Sequence, residues 1–82
     1  MTVHPLDAVV LTHDVPAHGL RRGDLGAVVA IYGPEAIAVE FVAASGRTQA
    51  VATLRPDDFR PVGDDDLMAV RPAVRLSGRG DR

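Results

Sequence analysis

Short apolar stretches, separated by glycine, proline and charged residues, make up most of the chain. None of them keeps the helical period of about 3.6 residues over a useful length, which argues against helices. Residues 25–32 are rich in β-branched side chains, which favour strands. In residues 35–42, the side chains of Ile37, Val39 and Phe41 fall on one face of an extended chain. The pattern predicts strands at residues 6–12, 25–32, 35–42, 47–54 and 60–62.

The second predicted strand is preceded by a glycine-punctuated turn. Gly23 and Gly26 can both take positive φ at no steric cost, so the chain can fold sharply before pairing begins. Asp24 can accept hydrogen bonds from nearby backbone groups and so fix the turn. Because these glycines precede a strand and not a helix, the stretch is not a phosphate-binding loop.

The other connections complete the predicted fold. Residues 13–24 form a long polar loop that is too broken for a helix, and residues 43–46 read as a hairpin connection ending in glycine. Residues 55–59 resemble one helical turn, with Pro56 at its start. Five short strands with these connections predict an all-β, SH3-like barrel over residues 1–62, which would leave no exposed sheet edge. We expect Phe59 to cap one end of the barrel and to share a core with Val39 and Phe41.

Composition sharpens this interpretation. The chain has 82 residues, of which 46% are apolar but only 4% aromatic. The core is therefore thin, which leaves room for stabilisation by a partner or by a homo-oligomer. There is no cysteine, no secretory signal and no stretch long enough to span a membrane. We expect a cytoplasmic protein that does not enter membranes.

After Val62 the composition changes. An acidic break at residues 63–66 is followed by residues 67–76, here called the arm, in which apolar and basic residues alternate around Pro72. Composition alone favours a disordered tail over residues 63–82, whereas the large apolar side chains favour a segment that docks on a partner. The domain itself closes with Val62 and is expected to offer the arm no groove. The predicted partner-binding residues are Leu67, Met68, Val70, Val74 and Leu76 of the arm, with Arg21, Arg22 and Tyr32 as a second, weaker contact.

A search for catalytic or metal-binding patterns gives only weak candidates. His4, His13 and His18 lack the spacing of a ligand pair, so we interpret them as solvated histidines. Neither serine, Ser45 or Ser77, has a base partner that the sequence identifies. The acidic pair at 57–58 and the acidic run at 64–66 are interpreted as helix-start charge and solvated linker. We predict no enzyme activity, no cofactor and no metal.

Several segments together resemble a known family of small bacterial proteins, filed as domain of unknown function 4926. The resemblance covers about residues 6–62 and implies an SH3-like barrel without a settled function. Phe59 departs from the family, where leucine is common at this position. Weaker similarities exist to the KOW motif of ribosomal and transcription-elongation proteins and to small accessory barrels of redox enzymes. The segments that carry the family resemblance are residues 6–12, 15–29, 39–41, 46–48 and 54–61.

Two classes of function follow from these observations. The first is a non-catalytic protein-binding module, an accessory, immunity or regulatory subunit that docks on another protein chain. The alternative is a KOW-like nucleic-acid-binding barrel, which the turn at residues 23–28 favours. A net charge of −2 and only three aromatic residues, Tyr32, Phe41 and Phe59, count against the alternative. Binding to nucleic acid is therefore not expected.

Overall fold

All five predicted strands form, and their bounds lie close to those expected from the sequence. The computed structural model describes residues 3–73. Leu6 lies outside the first strand because its backbone takes a φ of 74°, which breaks the extended conformation. The strands are β1 (Ala8–Leu11), β2 (Leu25–Gly33), β3 (Ala36–Val42), β4 (Thr48–Leu54) and β5 (Phe59–Pro61), and two 3-10 turns are η1 (Pro16–His18) and η2 (Pro56–Asp58).

The strands form one antiparallel sheet in the order β4-β3-β2-β1-β5. After η2, the chain crosses over so that β5 pairs with β1, with Leu11 opposite Phe59. This confirms the all-β prediction, the SH3-like strand arrangement and the single turn before the last strand. The sheet is not closed by hydrogen bonds, because β4 and β5 remain its two edges among the described residues. Side-chain packing therefore has to hold together the parts of the domain that backbone hydrogen bonds between β4 and β5 do not join.

Within residues 3–73, the core is a cluster of ten buried side chains from all five strands and the first loop. Ile37, Val39 and Phe41 are all buried, as the alternation in β3 predicted. Phe59, 5% exposed, belongs to the same cluster as Val39 and Phe41, so the expected common core is confirmed. Phe59 is the first residue of β5 and not part of the 3-10 turn. Because β5 begins directly after η2, the ring of Phe59 enters the core at the point where the chain crosses over to pair with β1.

The two glycines at the start of β2 have different structural roles. Gly23 has a φ of 93°, as expected for a turn glycine. Gly26 does not have positive φ, so that part of the prediction is wrong. Instead, a Cβ atom at Gly26 would lie 2.5 Å from Cγ1 of Val39 and 2.8 Å from Cε2 of Phe41. Glycine is required there because β2 packs directly against the core side chains of β3.

The chain does not leave the domain after β5. Residues 63–66 form a turn, and residues 67–73 continue without regular secondary structure. Arg71 in this stretch returns to the turn before β2, where it contacts Asp24. The expectation that the domain offers no seat for its own tail is therefore wrong. Val74 and Leu76, two predicted contact residues of the arm, lie outside the described residues.

Candidate functional site

Turns closed by aspartate recur through the domain. In each, the carboxylate of an aspartate accepts the backbone N–H of the residue three positions earlier, and the aspartate N–H donates back to the carbonyl of that residue. Such reciprocal bonds satisfy backbone groups that have no strand partner. The turns are His4–Asp7, Arg21–Asp24, Arg55–Asp58 and Gly63–Asp66, with N–H to carboxylate distances of 2.9, 2.8, 2.8 and 2.6 Å.

Asp24 combines its turn with a cation from a distant part of the chain. The guanidinium of Arg71 donates through Nε to Oδ1 at 2.9 Å and through Nη2 to Oδ2. Nη2 also donates to the carbonyl of Gly19 at 3.2 Å. Partial burial alone would raise the pKa of Asp24, but the hydrogen bonds from Arg71 and the N–H of Arg21 outweigh it and lower that pKa. Asp24 is therefore a charged anchor for the arm.

The beginning of the arm is tied to the domain by a second Asp–Arg pair. Arg60 in β5 donates to both carboxylate oxygens of Asp66, each at 2.8 Å. This hydrogen bond, together with the N–H of Gly63, lowers the pKa of Asp66 to about 2. The acidic run at 64–66, expected to be only a solvated linker, thus contains one aspartate that fixes the chain direction after β5.

Between these two ties the apolar side chains of the arm face solvent. The exposed fractions are 92% for Leu67, 68% for Met68 and 95% for Val70. Charged groups therefore attach this segment to the domain, while its large apolar groups contact little of it. Three of the five arm residues predicted to contact a partner are in this position.

The predicted second contact does not form one surface. Arg21 and Arg22 precede β2, whereas Tyr32 lies near its far end and is 65% exposed. The side chains of the two arginines make no ion pair within residues 3–73, and their backbone N–H groups bond instead to Asp24 and Asp14. The arginines lie beside the Asp24 turn, and Tyr32 lies away from it.

His13 links the first loop to η2. Its Nε2 lies 2.6 Å from Oδ1 of Asp58, and its Nδ1 lies 2.8 Å from the carbonyl oxygen of Asp14. The bond to the Asp14 carbonyl, followed by that to Asp58, raises the pKa of His13 above 6.5. Burial opposes ionisation of Asp58, yet the N–H of Arg55 and the His13 ring lower its pKa below 3.8. His13 is exposed over 53% of its side chain, in keeping with a solvated loop histidine, and its ring makes this tie as well.

Two concave regions lie at opposite ends of β3. A groove of about 650 Å³ runs beside Asp24, with Phe41, Val42 and Arg47 on one wall and residues 69–73 of the arm on the other. A smaller cleft of about 170 Å³ is lined mainly by apolar side chains, among them Ile31, Pro34 and Leu54. Only the first combines apolar walls with the charged Asp24 anchor.

Within residues 3–73 there is no cluster of three or more histidine and carboxylate side chains that could hold a metal ion. The same part of the chain contains no helix with the length and apolarity needed to cross a bilayer.

A family model described as a domain of unknown function (DUF4926) matches residues 6–61, more than half of the chain. The chain belongs to this family. The resemblance predicted from the sequence is thus confirmed, and the DUF4926 description itself assigns no activity. Neither a curated protein nor a solved structure matches the chain. Asp24 lies inside the DUF4926 match, whereas Asp66 and Arg71 lie beyond its end.

Sequence reasoning missed the residues that tie the site together. Asp24 was expected to fix its own turn, which is confirmed by the bond from the Arg21 N–H. Its pairing with Arg71, 47 positions away, carries no local signal in the sequence. Asp58 and Asp66 could have been singled out, because each lies three positions after the first residue that follows a predicted strand. The signal available in the sequence is therefore an aspartate three positions after the residue whose N–H it accepts.

Proposed function

We propose that this DUF4926 protein is a non-catalytic, cytoplasmic protein-binding module that docks on another protein chain through its arm. The observation that carries the proposal is the outward exposure of Leu67, Met68 and Val70 on a segment tied to the domain at Asp66 and Arg71. Apolar side chains at such exposure gain free energy when a partner removes them from water. An accessory, immunity or regulatory subunit fits this behaviour.

Magnitudes support the arm as the main contact. Burying one large apolar side chain contributes about 1.5–3 kcal/mol, before the cost of ordering the segment is subtracted. The ties at both ends reduce that cost, because residues 67–70 already have restricted freedom before a partner arrives. Burial of three such side chains within four residues supports an interaction of moderate strength.

The nucleic-acid alternative has less support. Phe41 and Phe59 are buried in the core, so Tyr32 alone of the three aromatic residues is available for stacking on a base. The net charge of −2 provides no general attraction to phosphates. No second function is proposed on these grounds.

The test compares the full chain with two arm variants. One is truncated after Gly63, and the other carries Leu67→Ser, Met68→Ser and Val70→Ser. Proteins captured from a cell extract by the immobilised full chain are identified, purified and titrated against each form. We expect both variants to stay folded by circular dichroism and to lose about ten-fold or more in affinity, as expected for loss of about 1.4 kcal/mol or more.

Leu6→Ser is the matched control, because Leu6 is 81% exposed but lies outside the arm. This variant should bind the purified partner as the full chain does. Equal affinity of the truncated and full chains would place any binding surface on the five-stranded domain and contradict the proposal. Failure of the full chain to retain any protein above background would also contradict it.

A further inference from the structure

The carboxylate of Asp24 and the carbonyl oxygen of Gly19 form a binding site for a guanidinium group, here called the seat. The chain's own Arg71 occupies it. The carboxylate receives Nε and Nη2 of Arg71 side by side, and the Gly19 carbonyl receives Nη2 as well. The side chains of Asp24 and Arg71 are only 18% and 26% exposed, so solvent screens this pair less than an open surface pair. Paired donors on a planar fork match arginine and not lysine.

The seat is built without help from the arm. Oδ2 of Asp24 accepts the N–H of Arg21 at 2.8 Å, and the Asp24 N–H donates to the Arg21 carbonyl at 3.0 Å. Gly19 takes a left-handed conformation at the end of η1, where its N–H donates to Pro16. These contacts lie within residues 16–24, so both acceptors keep their positions when Arg71 leaves. An empty seat would then hold a partly buried carboxylate without a cation.

The present occupant is an extended segment recognised mainly through one side chain. Pro72 follows Arg71 and keeps the backbone of the preceding residue extended. Val70 is 95% exposed, so the residue before the arginine contributes little to the seat. Beside the seat, the groove along Val42 and Arg47 has a volume of about 650 Å³ and is not filled by the arm.

The geometry points to an arginine-binding site at Asp24 that takes an extended Arg-Pro segment of a partner protein, with Arg71–Pro72 as its intramolecular occupant. Charge complementarity supports this occupant, since the seat offers a carboxylate and a carbonyl oxygen, and within residues 3–73 Arg71 is the side-chain cation that bonds to them. The inference rests on the proposed function only in that a partner supplies the segment. Binding in the seat does not require Leu67, Met68 or Val70.

The tethered Arg71 must compete with any incoming segment. Only four residues separate it from Asp66, which Arg60 holds, and a short tether gives an effective concentration in the millimolar range. A partner's arginine therefore binds well only when it outcompetes Arg71 or when Arg71 is removed. Its entry would release the arm from the domain.

The test titrates a labelled synthetic peptide with the sequence of residues 67–73 into full-length proteins and follows fluorescence anisotropy. The Arg71→Ala protein should bind the peptide, and the unaltered chain should bind it about five-fold more weakly, because the tethered arginine competes. Adding Asp24→Asn to the Arg71→Ala protein should abolish binding, while the amide oxygen of asparagine can still accept the Arg21 N–H. A peptide with lysine in place of its arginine should bind about ten-fold more weakly, since lysine cannot form the paired contact.

Three results would overturn the inference. The first is absence of saturable binding to the Arg71→Ala protein, which would make the Arg71 contact a structural tie only. The second is equal binding of the arginine and lysine peptides, a comparison that does not depend on folding of the Asp24 variant. The third is a dimer of the unaltered chain in sedimentation that Arg71→Ala dissociates, which would identify the arm of a second copy as the occupant. Peptide binding can succeed even if the truncation experiment on the proposed partner fails, so the two proposals are tested separately.

Discussion

The interior of the sheet and the arm are held in place by opposite kinds of contact. In the interior, Val9, Val28 and Val39 are at most 1% exposed and the cluster around them is apolar. In the arm, Leu67 and Val70 are more than nine-tenths exposed, while Arg71 makes the contact to the domain. Apolar side chains thus stabilise the domain by being buried, whereas in the arm they are exposed to solvent. Adjacent exposed apolar side chains on a tied segment are what the proposed docking on a partner requires.

The two regions also differ in the free energy that keeps them folded. Ordering the backbone of one residue costs about 1–2 kcal/mol, whereas an ion pair near the surface contributes at most about 1 kcal/mol. The cost of ordering the residues around it therefore offsets much of what the Arg71–Asp24 pair contributes, so the attached arm is far less stable than the sheet. The arm is therefore expected to open far more often than the sheet unfolds, which is the behaviour a displaceable occupant needs.

The largest expected effect is in the interior. Phe59→Ala should lower the free energy of unfolding by about 3–5 kcal/mol, because it removes a buried ring and leaves a cavity beside Val39 and Phe41. Arg71→Ala is the contrasting change in the arm and should cost at most about 1 kcal/mol. Urea denaturation followed by circular dichroism measures both. Similar losses for the two variants would remove the distinction between core and arm.

Gly26 in the sheet and Gly63 in the turn that leads to the arm provide a smaller, sharper comparison. Gly26→Ala should cost about 1–3 kcal/mol, because the new methyl group would overlap Val39 and Phe41 unless β2 or β3 shifts. Gly63→Ala is the matched control, since its Cβ would meet Asp66 Oδ2 at 3.5 Å, an ordinary contact. The control should change stability by less than about 0.5 kcal/mol. Thermal unfolding of the two variants measures the difference, and a tolerated Gly26→Ala would contradict the close approach of the strands.

The smallest effect concerns the His13–Asp58 tie and depends on pH. Because the folded-state pKa of His13 lies above 6.5, protonated His13 stabilises the fold fully below pH 6.5, and this contribution is lost as the pH rises through the raised pKa. Asp58, with its pKa below 3.8, contributes above pH 3.8 and loses its contribution as the pH falls through the lowered pKa. The tie should therefore stabilise the protein between about pH 4 and the raised pKa of His13.

His13→Gln should lower the melting temperature slightly at about pH 5.5 and have less effect at about pH 8.5. His18→Gln is the control, because the His18 side chain lies in the same loop and makes no ion pair within residues 3–73. The same loss at both pH values for His13→Gln would show that the ring acts by packing and not by its charge.

Most of the fold could be predicted from the sequence because it depends on local periodicity and turn chemistry. The alternation of Ile37, Val39 and Phe41 was sufficient to orient β3, and Pro56 marked the turn before β5. The positive φ of Gly23 also followed from its neighbours. Each of these features depends on residues only a few positions apart, so it can be predicted from the sequence without knowledge of the tertiary structure.

Only the tertiary structure decided which groups meet across long separations. The requirement for glycine at position 26 depends on how closely β3 approaches β2, and the roles of Asp24 and Asp58 depend on which cations reach them. The exposed apolar pattern of the arm could be read from the sequence, but its attachment through Arg71 could not. The sequence around a charged side chain does not show which group that side chain will contact. The position of Arg71 is fixed only when the folded domain brings Asp24 and Gly19 together.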